Sequence, residues 1–346
     1  MSLISFNWRV HFADGVLEEA IGSEIDMRGL GAPLLVSEAE MLTSELADRI
    51  RYSLPPRIRA SECFPVLDAN APVEIATALQ QGSFDTVIAF GPARMLVAAQ
   101  EAVRYSGQKS GRKIALLAVP GLEGLPASWS ASSGSKNAGA VASAIVCDPT
   151  VTFGIAPRMT ASAGIDILAQ CLEACFSCHY NPPADGIAIE GLTRVINALP
   201  KLMDADSLDL RREIMAASLS ASLAQTKGPG PSQRLCDALC EATGRRVDRG
   251  SVKAIALPGI VAFLEHELDM DKRRQLTGLF PDAEKGSLAA CLDSFIRDLP
   301  LPRNFPEIGI STGELFLAVD RLAQSGIQTD CYAHLQAIPE PKQRQN

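Results

Sequence analysis

Asp166 and Gln170 stand four residues apart in the run Asp166-Ile167-Leu168-Ala169-Gln170-Cys171-Leu172-Glu173-Ala174, which reads as an apolar helix. Residues at i and i+4 share one helical face. An acid and a histidine at that spacing would supply half of a metal site, but an amide is a poor ligand for a divalent transition metal. A second set with chemical potential is Cys171, Cys175 and Cys178 with His179 adjacent, together with the i, i+4 pair Cys236 and Cys240. Thiolates so spaced can hold zinc. Against that, cysteine is among the most buried residue types and packs as a small hydrophobe. The apolar neighbours Leu172, Ala174 and Phe176 favour core packing.

The elements that must position these residues alternate over the first half of the chain. Ala32 to Ser37, Thr86 to Phe90, Lys113 to Val119 and Ala140 to Cys147 read as strands, and helical patterns run from about Glu38 to Tyr52, from Pro72 to Leu79, and after Gly91 to about Val103. Such alternation predicts a parallel, Rossmann-like α/β sheet with helices on both faces. Gly121 to Gly139 is rich in Gly, Ser and Pro and reads as an exposed loop. From Met159 onward the pattern is helical, with segments over 161–178, 184–199, 207–225, 233–243, 251–268, 286–298 and 312–324. The expected layout is an α/β domain over 1–156 and an all-α domain over 157–346, with a ligand cleft between them.

Composition narrows the function classes. The 346 residues are 47% hydrophobic and 21% charged, as in an ordinary globular protein long enough for two domains. A net charge of −8 argues against a nucleic-acid or anionic-membrane partner. No apolar stretch reaches the roughly 18 residues of a bilayer span, and Met1 to Val10 shows no secretory pattern. Nine cysteines are too few and too scattered for a disulfide scaffold, so reduced thiols in a cytoplasmic protein are expected.

Asp148-Pro149, Pro157, Thr160-Ala161, Gly164, Asp166, Glu173, Asn181-Pro182, Leu199-Pro200, Arg211 and Leu257-Pro258 together resemble the iron-containing alcohol dehydrogenase family of dehydroquinate synthase-like fold. Phe6-Asn7-Trp8-Arg9-Val10-His11-Phe12 and Pro72-Val73-Glu74-Ile75 are closest to its maleylacetate reductase branch. The resemblance implies NAD(P) on the sheet, a divalent metal held by one aspartate and three histidines, and a homodimer. Its motifs are only partly present. The aspartate matches Asp166, but the three histidines fall at Gln170, Gln233 and Arg249, and a further active-site histidine falls at Asp237. The four histidines of the chain lie elsewhere, at 11, 179, 266 and 334. No iron or zinc is therefore expected, and the expectation is that Arg249 pairs with Asp166, with Gln170 and Gln233 completing the network.

The cofactor loops also depart from the family. The first keeps Gly91 but continues Pro92-Ala93-Arg94, losing two glycines and gaining a residue with no N–H. The family's later acid and lysine fall at Val97 and Gln100. The second loop keeps only Pro120 and Gly124, with Ser130, Ser132 and Ser133 just beyond. Three function classes follow. One is a metal-independent NAD(P)H oxidoreductase, in which Arg249 polarises a carbonyl and Asp166 or Asp237 serves as acid or base. The second is a pseudoenzyme or partner subunit. The third is a non-redox lyase or isomerase whose cleft takes a small anionic molecule, Lys227 or Arg234 aiding Arg249.

Overall fold

In the computed structural model the structure describes residues 9–58, 62–65, 71–122, 142–281, 283–327 and 329–336. Six strands, β1 (Val10–Phe12), β2 (Pro33–Ser37), β3 (Glu62–Pro65), β4 (Thr86–Gly91), β5 (Ala115–Pro120) and β6 (Ala144–Cys147), form one sheet. Its order is β1-β6-β5-β4-β2-β3, and every pairing is parallel. Side chains alternate across the sheet with the period of two that strands impose. Leu34, Val36, Val87 and Ala89 pack on one side with α3 (Ala71–Gln81) and α4 (Ala93–Ser110). Leu35, Ile88 and Phe90 pack on the other with α1 (Leu17–Arg28) and α2 (Glu45–Tyr52). Burial on both faces is why the central strands read as continuous apolar runs.

No element is expected from the sequence over α1, yet its buried residues Leu17, Ala20, Ile21 and Ile25 form a helical stripe. Acidic residues between them dilute the pattern, and the helix ends where Gly29 takes a left-handed φ of 65°. The short strands β1 and β3 and the helix α10 (Met270–Thr277) are likewise additions to the sequence reading.

The remaining helices are α5 (Pro157–Phe176), α6 (Pro182–Asp204), α7 (Leu208–Ala224), α8 (Pro231–Thr243), α9 (Arg249–Leu264), α11 (Leu288–Arg297), α12 (Thr312–Gln324) and α13 (Ala333–Gln336). The chain forms two compact units, one of Met1–Gly154 with Asp206–Thr226, the other of Ile155–Ala205 with Lys227–Asn346. Helix α7 thus belongs with the sheet, where Met215 joins the cluster formed with α3 and α4. In the helical unit α8, α9 and α12 share a core that includes Leu235, Leu239, Val252, Ala256, Ile260, Leu315 and Val319. Helix α5 is buried nearly all round, which fits its apolar sequence. Among the described residues no helix is long and apolar enough to cross a membrane.

Candidate functional site

Three helices of the helical unit each contribute two polar residues at i, i+4. They are Asp166 and Gln170 on α5, Gln233 and Asp237 on α8, and Arg249 and Lys253 on α9. The first turn of α8 is anchored by Glu173 of α5, whose Oε1 accepts the Ser232 N–H at 2.5 Å. Gly230 makes room for this, since a Cβ there would lie 2.3 Å from Glu173 Oε2. Helix α9 meets the α5 backbone at Gly250, where a Cβ would lie 1.9 Å from the Ser162 carbonyl oxygen. Asp248, the N-cap of α9, also accepts from the Ser162 hydroxyl. One turn further along each helix, Asp166 and Lys253 are brought face to face.

Lys253 Nζ donates to Asp166 Oδ1 at 2.5 Å and to Gln233 Oε1 at 3.0 Å. Gln170 Nε2 donates to the other carboxylate oxygen of Asp166 at 2.9 Å. Gln233 Nε2 reaches Asp237 Oδ1 at 3.4 Å, and Arg249 donates to that same oxygen at 2.7 Å. The network runs from a fully buried lysine side chain at 0% exposure to an Arg249–Asp237 pair at 41% and 54%, open to solvent. Burial works against the Lys253 charge, but its neighbours together, Asp166 first among them, hold the lysine pKa above its usual value. For Arg249 burial is again opposed by its neighbours, and its pKa is raised. Cys236 beside it is a neutral thiol, pushed up to about 12 by burial, so Asp237 and Asp166 carry that effect.

All five residues expected in the site lie in this network, but the expected ion pair is corrected. Arg249 pairs with Asp237, and the counter-ion of Asp166 is Lys253. The reason is position along α9. Arg249 is its first residue and half exposed, whereas Lys253, one turn on, is packed where α9 approaches α5. Lysine 253 is the residue that the sequence reading missed, although it repeats the i, i+4 spacing from Arg249. Lys227 and Arg234, expected to aid Arg249, are held elsewhere. Lys227 Nζ lies 2.6 Å from Asp185, and Arg234 donates to the Pro229 carbonyl.

These residues do not suit a divalent transition metal. The set offers two carboxylates, Asp166 already bridged by an ammonium and an amide and Asp237 held by a guanidinium, together with two amides. A metal ion would join two fixed positive charges and find no imidazole or thiolate, the ligands that make such sites tight. Among the described residues no cluster of three or more His, Cys, Asp or Glu is placed to hold a metal. Core packing holds for Cys171, Cys175 and Cys236, whereas Cys240 is only partly buried and Cys178 is exposed. Cys171 and Cys175 are buried, with burial pushing Cys171 well up and Cys175 to about 11, while Cys178 and His179 lie beyond the end of α5.

In the sheet unit the chain leaves β2 outward to β3, and leaves β4 in the opposite direction through β5 to β6. The carboxyl ends of β2 and β4 therefore form a topological switch point, the place where open α/β sheets take ligands. Gly91 ends β4 with a φ of 104°, and a Cβ there would lie 2.7 Å from Met41 Sδ, so only glycine fits. Pro92 caps α4, Ala93 begins it, and Arg94 is ion-paired with Glu38, which directly follows β2. Gly124, the other expected cofactor residue, and Ser130, Ser132 and Ser133 lie outside the described residues.

Residues 160–341 match the C-terminal domain of the Fe-containing alcohol dehydrogenase family. The chain belongs to the iron-containing alcohol dehydrogenase family. It is 34% identical over 125 residues to the 4-hydroxybutyrate dehydrogenase of Cupriavidus necator, a match covering 34% of this chain and 32% of that one. It is 26% identical over 270 residues to the maleylacetate reductase of Burkholderia cepacia, covering 74% and 73%. Among solved structures, the sulfoacetaldehyde reductase of Bifidobacterium kashiwanohense in complex with NAD+ superposes with a TM-score of 0.79 at 17% identity, covering 98% of this chain and 100% of that one. The chain spans about a third to a half of the length of several curated relatives that it matches. The fold is that of the family, a dehydroquinate synthase-like pairing of a parallel sheet unit with a helical unit.

Proposed function

We propose that this member of the family is an oxidoreductase that works without a divalent metal, reducing a small, anionic carbonyl compound with NAD(P)H. The observation that carries the reading is the buried ammonium of Lys253, seated among Asp166, Gln170 and Gln233. Those are the positions at which the family resemblance implies metal ligands. The redox half is supported by family membership and by the switch point between β2 and β4. There Gly91 and the first turn of α4, with its Ala93 and Arg94 N–H groups, would hold the dinucleotide phosphates. When bound, a dihydronicotinamide supplies a hydride to the carbonyl carbon.

The residues of this chain then have defined tasks. Positive charge from Lys253 and Arg249 favours the negative charge that develops on the carbonyl oxygen. Asp166 and Asp237 each hold a cation, so they act as counter-ions and the alkoxide takes its proton from water. A reduced, cytoplasmic setting and a homodimer are parts of the same proposal, the latter checked by light scattering on the eluting protein.

A second reading, a pseudoenzyme or partner subunit, is favoured by one observation. Arg94 is already engaged by Glu38, and Pro92 has no N–H to offer a phosphate. Titrating the purified full chain with NADH and with NADPH, followed by cofactor fluorescence, separates the two. Saturable binding of either, with iron and zinc far below one equivalent by elemental analysis, is the expected result. A folded protein that binds neither dinucleotide removes the oxidoreductase reading. Binding of a small carboxylate without a dinucleotide would point instead to lyase or isomerase chemistry.

A further inference from the structure

We infer that Lys253 is a covalently tethered cation occupying the place of a divalent metal, so that the ammonium and a metal ion are mutually exclusive in this helical unit. The inference deepens the metal-independent half of the reading above and is indifferent to its redox half, which the dinucleotide titration tests alone.

Three features of the network support it. The ammonium takes Asp166 Oδ1 at 2.5 Å, the distance of a tight charge-assisted bond, and Gln170 takes Oδ2, so neither carboxylate oxygen is without a donor. The two amides suit an ammonium in complementary ways. Gln233 turns its oxygen to Lys253 as an acceptor that does not titrate, and Gln170 turns its nitrogen to the carboxylate. Imidazoles at these positions would suit a metal, and beside a buried ammonium a protonated ring would add a second charge. Finally, the close approach of α9 to α5 at Gly250 fixes the lysine stem, so the cation is held by the fold and not by binding equilibrium.

The test exploits exclusivity. Wild type, Q170H/Q233H with Lys253 retained, and Q170H/Q233H/K253M are each titrated with Co2+, reading the visible d–d absorption and the melting temperature. Wild type and the double variant should show neither spectrum nor shift. The triple variant, with Asp166 and two imidazoles around a vacated position, should bind one equivalent, rise in melting temperature, and lose both signals to a chelator. A double variant that binds Co2+ as tightly as the triple overturns the inference, as does wild type purified with one equivalent of metal. A folded triple variant that binds none also overturns it. Should the triple variant not fold, the pair is read through K253M, D166N and K253M/D166N in a denaturation cycle. Mutual counter-ions predict that the double variant loses much less than the sum of the two singles; additive losses overturn the assignment.

Discussion

Two ion pairs in one hydrogen-bond network make opposite predictions because their solvent exposure differs. Lys253 is fully buried and Asp166 nearly so, whereas Arg249 and Asp237 both reach water. Asp166→Asn strands a buried ammonium without its counter-charge, and loss of one partner of a buried pair costs about 3–5 kcal/mol. Asp237→Asn removes one member of an exposed pair, worth less than about 1 kcal/mol. Urea denaturation of the two variants should show that gap, and equal losses would mean that the buried pair is not what stabilises the helical unit. The residues of this network were largely legible from spacing and resemblance, since Asp166, Gln170, Gln233, Asp237 and Arg249 all take part. Lys253 was not, because a single lysine in the apolar run Val252 to Leu257 gives no signal of its own. Its role depends on which face of α9 meets α5, and that is a tertiary fact.

At the scale of elements, glycines decide how closely the helices of the site approach. Gly250 lies against a backbone carbonyl that cannot rotate away, so Gly250→Ala must push α9 from α5 and lengthen the Lys253–Asp166 contact. The expected loss is at least about 1–3 kcal/mol, the usual cost of overpacking. Gly186, exposed on α6 with nothing near its absent Cβ, is the control; alanine there should stabilise by roughly 0.5–1 kcal/mol. Thermal melts of both variants check the contrast. Glu173, which joins α5 to the start of α8, adds a pH dependence. Burial raises its pKa, against the opposing pull of Lys253 and the Ser232 and Gln233 N–H groups. A carboxyl with a raised native pKa binds its proton more tightly in the folded chain. Its contribution is therefore full below the unfolded pKa and is lost as pH rises through the native one. Glu173→Gln keeps an acceptor for Ser232 without the charge. Its melting temperature relative to wild type should accordingly climb between pH 4 and pH 8; a constant difference would show that Glu173 is not titrating in this way.

Across the whole molecule, periodicity revealed the elements better than it revealed their partners. The alternation over the first half gave the parallel sheet, and most helices of the second half begin and end close to the expected residues. Helix α7 shows where such reading stops. Its apolar positions say that one side is buried, but not that Met215 packs in the sheet unit, so a single boundary near residue 156 could not describe the division. The two units also call for separate ligand tests. A ligand that binds only the native state stabilises it by RT ln(1 + [L]/Kd), about 2.7 kcal/mol at a hundredfold excess over Kd. NADH or NADPH at that excess should stabilise the protein by that increment, seen as a rise in melting temperature, if Gly91 and the start of α4 hold a dinucleotide. Millimolar chelator should leave the melt of the same protein unmoved, because the cation beside Asp166 is part of the chain. A melt that falls with chelator would place a bound metal in the native state. Silence toward both dinucleotides would confine the chain's activity to chemistry other than hydride transfer.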